Sequence, residues 1–185
     1  MFLLTIILSK KNFKIYKAMK KISIIYGSTT DNTREAAEKI AKQLSEFSPQ
    51  LKDVSQCSAD DFTTAECLIL GTSTWGSGDL QDDWYEMLPQ LKSVDLSDKI
   101  VALFGLGDAG SYSDTFVDGI GELYEFFTEK RCKIVGFIET DEYSFDASRA
   151  VIDGKFVGLP LDADNESNLT DERIINWVNI VKQSF

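Results

Sequence analysis

Residues 22–33 read ISIIYGSTTDNT, an apolar run followed directly by a loop rich in hydroxyl groups. The apolar half predicts a buried strand over Ile22–Tyr26. Apolar side chains then recur at helical spacing, so we expect a helix from about Asn32 to Phe47. A loop between a strand and a helix N-terminus offers unpaired N–H groups and the positive end of the helix dipole, which suits an anion.

The loop over residues 27–33 contains no lysine or arginine, so its hydroxyls and backbone amides would have to hold the anion. It lacks the Gly-Lys-Ser/Thr ending of a Walker loop, and it has one glycine where a dinucleotide loop needs three. These features favour a phosphate monoester held as part of a cofactor over a nucleoside triphosphate held with magnesium. An ordinary turn with an Asp or Asn helix cap is the alternative.

The composition limits the class of protein. A chain of 185 residues is long enough for one domain with a sizeable core, and no apolar run approaches the roughly 18 residues of a membrane-spanning helix. Three cysteines without a C-x-x-C pair favour a reducing, cytoplasmic compartment over a zinc site or a disulfide framework. The chain has no histidine, which excludes His-dependent nucleophilic catalysis, so redox chemistry would require a cofactor.

Charge is segregated along the chain. Every acidic residue lies at or after Asp31, and thirteen basic against 30 acidic residues give positions 22–185 a net charge of −17. Such a body repels nucleic acid and anionic membranes, so we expect neither as a partner. We expect it to be steered toward basic surfaces of other proteins, although a generic solubility surface is an alternative.

Residues 1–19 differ from the rest because the apolar run Phe2–Leu8 is followed by lysines and no acidic residue. The run has no basic residue before it and no clear small-residue cleavage site after it, so it is a poor secretory signal. A targeting peptide is one interpretation, and translation from Met19 is the one we favour. We therefore predict an extension over residues 1–19 and one domain over residues 20–185.

From residue 22 onward, strand and helix patterns alternate, which predicts an α/β fold with a parallel sheet covered on both faces. The predicted strands are Ile22–Tyr26, Leu51–Val54, Glu66–Gly71, Lys99–Phe104 and Cys132–Ile138. The predicted helices are Asn32–Phe47, Leu80–Leu91, Asp114–Lys130 and one capped by Thr170 with Ile174, Ile175, Val178 and Val181 facing inward. A polar segment, Glu139–Lys155, interrupts the pattern, and we interpret it as an insert that splits or extends the fifth strand.

Two further loops follow the third and fourth predicted strands and leave the sheet from the same edge as the hydroxyl-rich loop. Each contains one aromatic residue among glycines and small polar residues: Trp75 in the first and Tyr112 in the second. A flat heteroaromatic ring between them would be stacked on both faces. Together the three loops predict a cofactor site at the carboxyl ends of the strands.

From Lys20 to Phe185 the chain resembles the flavodoxins, specifically the long-chain type. Residues 28–33 resemble the family's Ser/Thr-x-Thr-x-x-Thr phosphate loop, with Ser28, Thr30 and Thr33 in the pattern positions. Residues 74–78 and 107–112 resemble the loops on the two flavin faces, and residues 139–165 resemble the long-chain signature. The resemblance implies a flavodoxin-like doubly wound five-stranded parallel sheet in the order 2-1-3-4-5 and one noncovalent FMN, and we expect a monomer. It also implies low-potential one-electron transfer between a flavodoxin reductase and acceptor redox proteins, without catalysis by the chain itself.

On this resemblance, Asp108 pairs with the pyrimidine edge of the flavin, and the peptide after Gly76 can turn its carbonyl toward the reduced ring. The expected cofactor-binding residues are Ser28, Thr29, Thr30, Asp31, Asn32, Thr33, Thr74, Trp75, Gly76, Ser77, Gly78, Leu106, Gly107, Asp108, Tyr112, Thr115 and Asp164. Three of these depart from many family members: Thr115 stands where asparagine is common, Gly76 where a larger residue is common, and Leu106 where threonine is common. Candidate docking residues beside the Trp75 loop are Asp79, Asp82 and Asp83, although acidic residues also suit the start of a helix.

Two other classes of protein share this strand order. A flavin-dependent quinone or NAD(P)H oxidoreductase would need a second substrate site, and the three loops contain no arginine to hold a pyridine-nucleotide phosphate. A phospho-accepting receiver domain would need an acidic pair after the first strand, where this chain has Gly27-Ser28. Site chemistry, rather than fold, therefore favours the electron carrier.

Overall fold

The computed structural model describes residues 20–185, so the predicted extension over residues 1–19 lies outside the described residues. The strands are β1 Ile22–Tyr26, β2 Gln50–Asp53, β3 Cys67–Trp75, β4 Asp79–Leu80, β5 Ile100–Leu106, β6 Lys133–Val135, β7 Ile138–Glu139, β8 Val151–Ile152, β9 Lys155–Phe156 and β10 Leu159–Leu161. The helices are α1 Asn32–Gln43, α2 Ala59–Thr63, α3 Asp82–Leu91, α4 Asp118–Glu129 and α5 Thr170–Val181. Within residues 20–185, no helix is both long and apolar enough to cross a membrane.

The main sheet is parallel and confirms the predicted strand order. Strand β1 lies between β2 and β3, and β5 lies on the other side of β3. All five residues of β1 are buried, as expected for a strand covered by helices on both faces. The order reverses between β1 and β3, and this switch point places the loops after β1, β3 and β5 at one edge.

The fifth position of the sheet is shared by two short strands. Strand β6 pairs with the first half of β5, through Ile100–Ala102, and β10 pairs with its second half, through Phe104–Leu106. Between them the chain leaves the sheet and forms a small antiparallel sheet in the order β7-β9-β8. The prediction of an insert within the fifth strand is therefore confirmed.

Helices cover the sheet on both faces. Helices α1 and α5 pack on one face around Phe104 and Trp177, and α2, α3 and α4 pack on the other around Phe62, Trp84 and Phe127. The N–H groups of the two buried tryptophans, Trp84 and Trp177, are both hydrogen-bonded. Trp84 Nε1 donates to the carbonyl of Gly71 at 2.9 Å, and Trp177 Nε1 donates to that of Gly136 at 2.8 Å.

Some predicted boundaries were wrong. Helix α1 ends at Gln43, because Leu44 leaves helical geometry and a 3-10 turn follows over Ser45–Phe47. Helix α3 begins at Asp82 rather than Leu80, since Leu80 pairs with Thr74 in the β3–β4 hairpin.

Other predictions about the helices were also wrong. Helix α4 begins at Asp118 rather than Asp114, because turns over residues 112–118 and a left-handed Val117 (φ 52°) precede it. Thr170 lies inside α5 and makes no capping bond, and Ile175 is exposed while Trp177 faces the core. The five-residue α2 was not predicted, since it is too short to show a periodic pattern.

Candidate cofactor site

A cavity of about 220 Å³ opens at the carboxyl edge of the sheet, where the loops after β1, β3 and β5 meet. The loop after β10 completes its wall. Its lining residues are Thr30, Asn32, Ser73, Thr74, Trp75, Gly76, Leu106, Gly107, Asp108, Tyr112, Thr115, Ala163 and Asp164. The predicted convergence of the loops is therefore present in the fold.

The loop over residues 28–33 presents unpaired backbone donors. Asp31 is the N-cap of α1 but makes no side-chain capping bond. Among residues 20–185, the N–H groups of residues 28–33 find no hydrogen-bond acceptor. The next amide, that of Arg34, donates to Ser28 Oγ at 3.4 Å, so a loop hydroxyl rather than the Asp31 side chain serves it. The geometry instead favours the anion-binding interpretation.

Gly27 allows this loop to pack closely on the start of α3. A Cβ at Gly27 would lie 2.3 Å from Gln81 Oε1 and 2.7 Å from Trp84 Cδ1, both impossible contacts. Gln81 is itself fixed, because its Oε1 accepts the N–H of Asp83 as the N-cap of α3. A glycine at position 27 therefore holds the hydroxyl-rich loop beside the hairpin that carries Trp75.

The Trp75 hairpin joins β3 to β4 through a turn closed by the Gly78 N–H and the Trp75 carbonyl at 3.0 Å. Gly76 has a positive φ of 52°, a conformation that L side chains rarely adopt. The Trp75 ring is 42% exposed, and its Nε1 donates to Ser73 Oγ at 2.8 Å. Thr74 Oγ1 accepts the N–H of Gly119 at 3.2 Å, which ties the hairpin to the start of α4.

The Tyr112 loop is held by its own backbone and by Asp108. The Asp108 carboxylate accepts bonds from Asn165 Nδ2 and from the Ser111 N–H, both at 2.8 Å. The Asn165 side chain and then the Ser111 groups hold the pKa of Asp108 below its usual value. The Asp108 N–H has no acceptor among residues 20–185, whereas those of Gly107, Ser111 and Tyr112 are paired.

Asp162 fastens the Tyr112 loop to the loop after β10, and sequence reasoning did not single it out. Its buried carboxylate accepts the N–H groups of Ala109 at 2.9 Å, Asp164 at 3.1 Å and Asn165 at 2.9 Å. The Asn165 side chain also donates to it. The sequence shows only an aspartate directly after the apolar run 156–161, whereas the burial that makes its pairing necessary is seen in the fold.

Most of the predicted site residues lie on the cavity wall. The exceptions are Ser28, Thr29, Asp31, Thr33, Ser77 and Gly78, which belong to the predicted loops but do not line it. Thr33 is buried in the first turn of α1. Ser73 and Ala163 line the cavity and were not predicted.

The cysteines do not contribute reactive groups. Burial, and then a nearby carboxylate, raises the pKa of Cys57 to about 11 and that of Cys132 to about 11. Burial also raises the pKa of Cys67. Their thiols are therefore protonated at neutral pH and poorly nucleophilic. Within the described residues, no cluster of three or more His, Cys, Asp or Glu side chains could hold a metal ion.

The fold and the cleft define a doubly wound α/β protein whose site combines free anion-binding amides with two exposed aromatic rings. A model of the family described as Flavodoxin matches residues 24–177. The chain is 44% identical over 166 residues to the flavodoxin of Nostoc sp., covering 90% of this chain and 98% of that protein. It is 45% identical over 167 residues to the flavodoxin of Helicobacter pylori, and the match covers 90% of this chain and 99% of that protein.

Among solved structures, that of Fusobacterium nucleatum flavodoxin bound to flavin mononucleotide superposes with a TM-score of 0.86 at 34% identity. The match covers 90% of this chain and 99% of that one. The chain belongs to the flavodoxin family of electron-transfer proteins.

Proposed function

We propose that this chain binds one FMN noncovalently in the cleft and carries single electrons at low potential between redox proteins. One observation supports this most strongly: a loop of unpaired amides and two exposed aromatic rings converge at one cavity. FMN supplies reversible one-electron chemistry, which the side chains of the site do not offer. The donor set fits this group, since it provides anion donors at one end and apolar faces at the other.

At the phosphate end, residues 28–33 donate their backbone N–H groups, and Thr30 and Asn32 also line the cavity. The start of the α1 dipole adds to the attraction. Because the donors are neutral dipoles, the bound phosphate keeps its negative charge. We infer that this retained charge contributes to the low potential of the site.

At the ring end, Trp75 and Tyr112 stack on the two faces of the bound heteroaromatic ring and exclude water. The unpaired N–H of Asp108 donates to the polar edge of that ring, while the Asp108 carboxylate holds the loop in place. Leu106, Gly107, Thr115 and Asp164 complete the wall. The Gly76 turn would supply a backbone carbonyl beside the bound ring, and glycine would let the peptide that follows it reorient.

We further propose that the partners dock through basic surfaces onto the acidic rim beside the cleft. Asp82 and Asp83 lie in the first turn of α3, directly after the hairpin that carries Trp75. The strongly acidic composition of the chain supports long-range steering of such partners. We expect the protein to act as a cytoplasmic monomer that accepts electrons from a reductase and passes them to acceptor enzymes.

Titration of the protein with FMN, followed by quenching of flavin and tryptophan fluorescence, tests this proposal. We expect one FMN per chain, and Tyr112→Ala should weaken binding about tenfold because a stacking face is lost. Tyr124→Ala, which removes a half-buried tyrosine of α4 outside the cavity, is the matched control and should leave FMN affinity close to that of the parent chain. Failure of the folded protein to bind FMN would contradict the proposal.

A further inference from the structure

Asp31 adopts an unfavourable backbone conformation in the loop that is proposed to hold the phosphate. Its φ is 68°, in the left-handed region where side chains are strained. Aspartate is a favoured N-cap because its carboxylate usually accepts an N–H of the first helical turn. Asp31 makes no such bond, so capping does not explain its presence.

The carboxylate of Asp31 instead faces Arg34. Arg34 Nη1 lies 3.3 Å from Asp31 Oδ1, and its Nε lies 3.7 Å from Glu38 Oε1. Both partners of the Asp31–Arg34 pair are about half exposed, so the pair is screened by solvent and stabilises the fold little. The ion pair with Arg34, like helix capping, therefore does not explain why an aspartate occupies this position.

Asp31 is the only charged residue among positions 28–33, and its charge has the same sign as a phosphate. It lies between Thr30 and Asn32, which line the cavity, and beside the unpaired amides of the loop. A like charge in this position opposes the binding of a phosphate dianion through space. Arg34 offsets part of that repulsion because, within residues 20–185, it is the cation paired with the carboxylate.

We propose that Asp31 is a specificity-determining residue that lowers the affinity of the site for the phosphate of FMN, and that Arg34 masks its charge. The proposal rests on the proposed FMN site. The amide loop favours phosphorylated flavin, and Asp31 limits the preference for FMN over riboflavin. The effect is confined to the phosphate, so the ring contacts of Trp75 and Tyr112 do not depend on it.

The test compares the dissociation constants of FMN and riboflavin for the parent chain, Asp31→Asn and Asp31→Gly. Asp31→Asn removes the charge and retains a residue that tolerates positive φ, whereas Asp31→Gly also relieves the backbone. At low ionic strength, both variants should bind FMN on the order of fivefold more tightly, as expected for one charge near a dianion in a solvated loop. Riboflavin affinity should stay the same, and added salt should reduce the FMN difference.

Asp98→Asn is the matched control. It makes the same change in net charge at an exposed aspartate before β5, at the opposite edge of the sheet. It should leave the ratio of FMN to riboflavin affinity unchanged. Arg34→Ala should weaken FMN binding in the parent chain and have a smaller effect in Asp31→Asn, because the charge it masks is then absent.

Unchanged FMN affinity in Asp31→Asn would overturn the inference, and so would an equal change for FMN and riboflavin. Urea unfolding of each variant establishes that the compared proteins are folded. If the parent chain binds neither flavin, the proposed function itself fails, and this inference fails with it.

Discussion

Gly76 begins the turn that carries Trp75 over the cleft, and its positive φ is the backbone feature on which the proposed ring contacts depend most directly. A Cβ there would also lie 2.7 Å from Asp79 Oδ2. The sequence suggested the need for glycine through the turn. The clash with Asp79 depends on the β3–β4 pairing, which single-sequence patterns do not reveal.

Gly76→Val should shift the first one-electron midpoint potential downward by the equivalent of about 1 kcal/mol, provided that turning the peptide after Gly76 toward the reduced ring strains position 76 beyond its resting φ of 52°. The measurement is a potentiometric titration of the FMN-loaded protein. Gly154→Val is the matched control, since Gly154 also has a positive φ (79°) but lies in the insert with open space around it. Gly154→Val should lower the stability of the fold and leave the midpoint potential unchanged. Equal potentials for Gly76→Val and the parent chain would refute this role for Gly76.

Asp162 is a residue of the site that could not be predicted from the sequence. The aromatic and hydroxyl residues of the three loops could be identified because their types suit flavin contacts directly. Asp162 acts by accepting three backbone N–H groups from two loops that are far apart in sequence. Such a role depends on how β10 aligns with β5, and so it became visible only in the folded chain.

At the scale of elements, long periodic segments were predictable and short ones were not. Strand β1 was predicted with its observed bounds because its mainly apolar run is bounded by Lys21 and Gly27. The strands of the insert are two residues each, so tertiary contacts rather than local pattern define them. The start of α4 was misplaced because residues 114–117 form turns that pack under the insert.

The insert contacts the segment that follows Tyr112. The N–H groups of Asp146 and Ala147 both donate to the carbonyl of Ser113, at 2.8 and 3.0 Å. Arg149 donates its own N–H to Asp118 at 2.6 Å, and its side chain bonds Glu122 and Glu125 on α4. These contacts indicate that the insert braces the Tyr112 loop from outside.

Arg149→Ala should therefore lower the free energy of unfolding by about 0.5–1 kcal/mol, the range for a solvent-exposed charge network. Hydrogen exchange should become faster for amides of residues 139–155 and 112–118, as measured by mass spectrometry. Lys155→Ala is the control, because it breaks an exposed pair with Glu139 within the insert itself. Exchange at residues 112–118 that is no faster in Arg149→Ala than in Lys155→Ala would count against the brace.

At the scale of the whole molecule, charge is distributed unevenly between the two edges of the sheet. Acidic residues flank the cleft, whereas five basic residues lie with Glu66 and Asp98 at or near the starts of strands, at the opposite edge: Lys20, Lys21, Lys99, Arg131 and Lys133. This arrangement favours approach of a cationic partner to the flavin edge. The uneven charge arises because the order of strands and helices places particular residues at each edge, as well as from the acidic composition of the chain.

Electron transfer to a basic c-type cytochrome should accordingly slow by about tenfold or more as ionic strength rises from about 0.01 to 0.15 M. At low ionic strength, replacing Asp82 and Asp83 together by asparagine should reduce the rate about threefold through weaker steering. Stopped-flow kinetics measure both effects. Asp98→Asn, at the far edge, should change the rate little, and an equal reduction in that variant would show that net charge rather than the rim steers the partner.

We propose that the cleft holds a flavin that takes up electrons one at a time. The most direct test is the visible spectrum of the FMN-loaded protein during anaerobic titration with dithionite. We expect two separate one-electron steps, with a new long-wavelength absorption after the first and bleaching after the second. Direct bleaching in a single two-electron step would contradict it and would indicate a flavin reductase on the same fold.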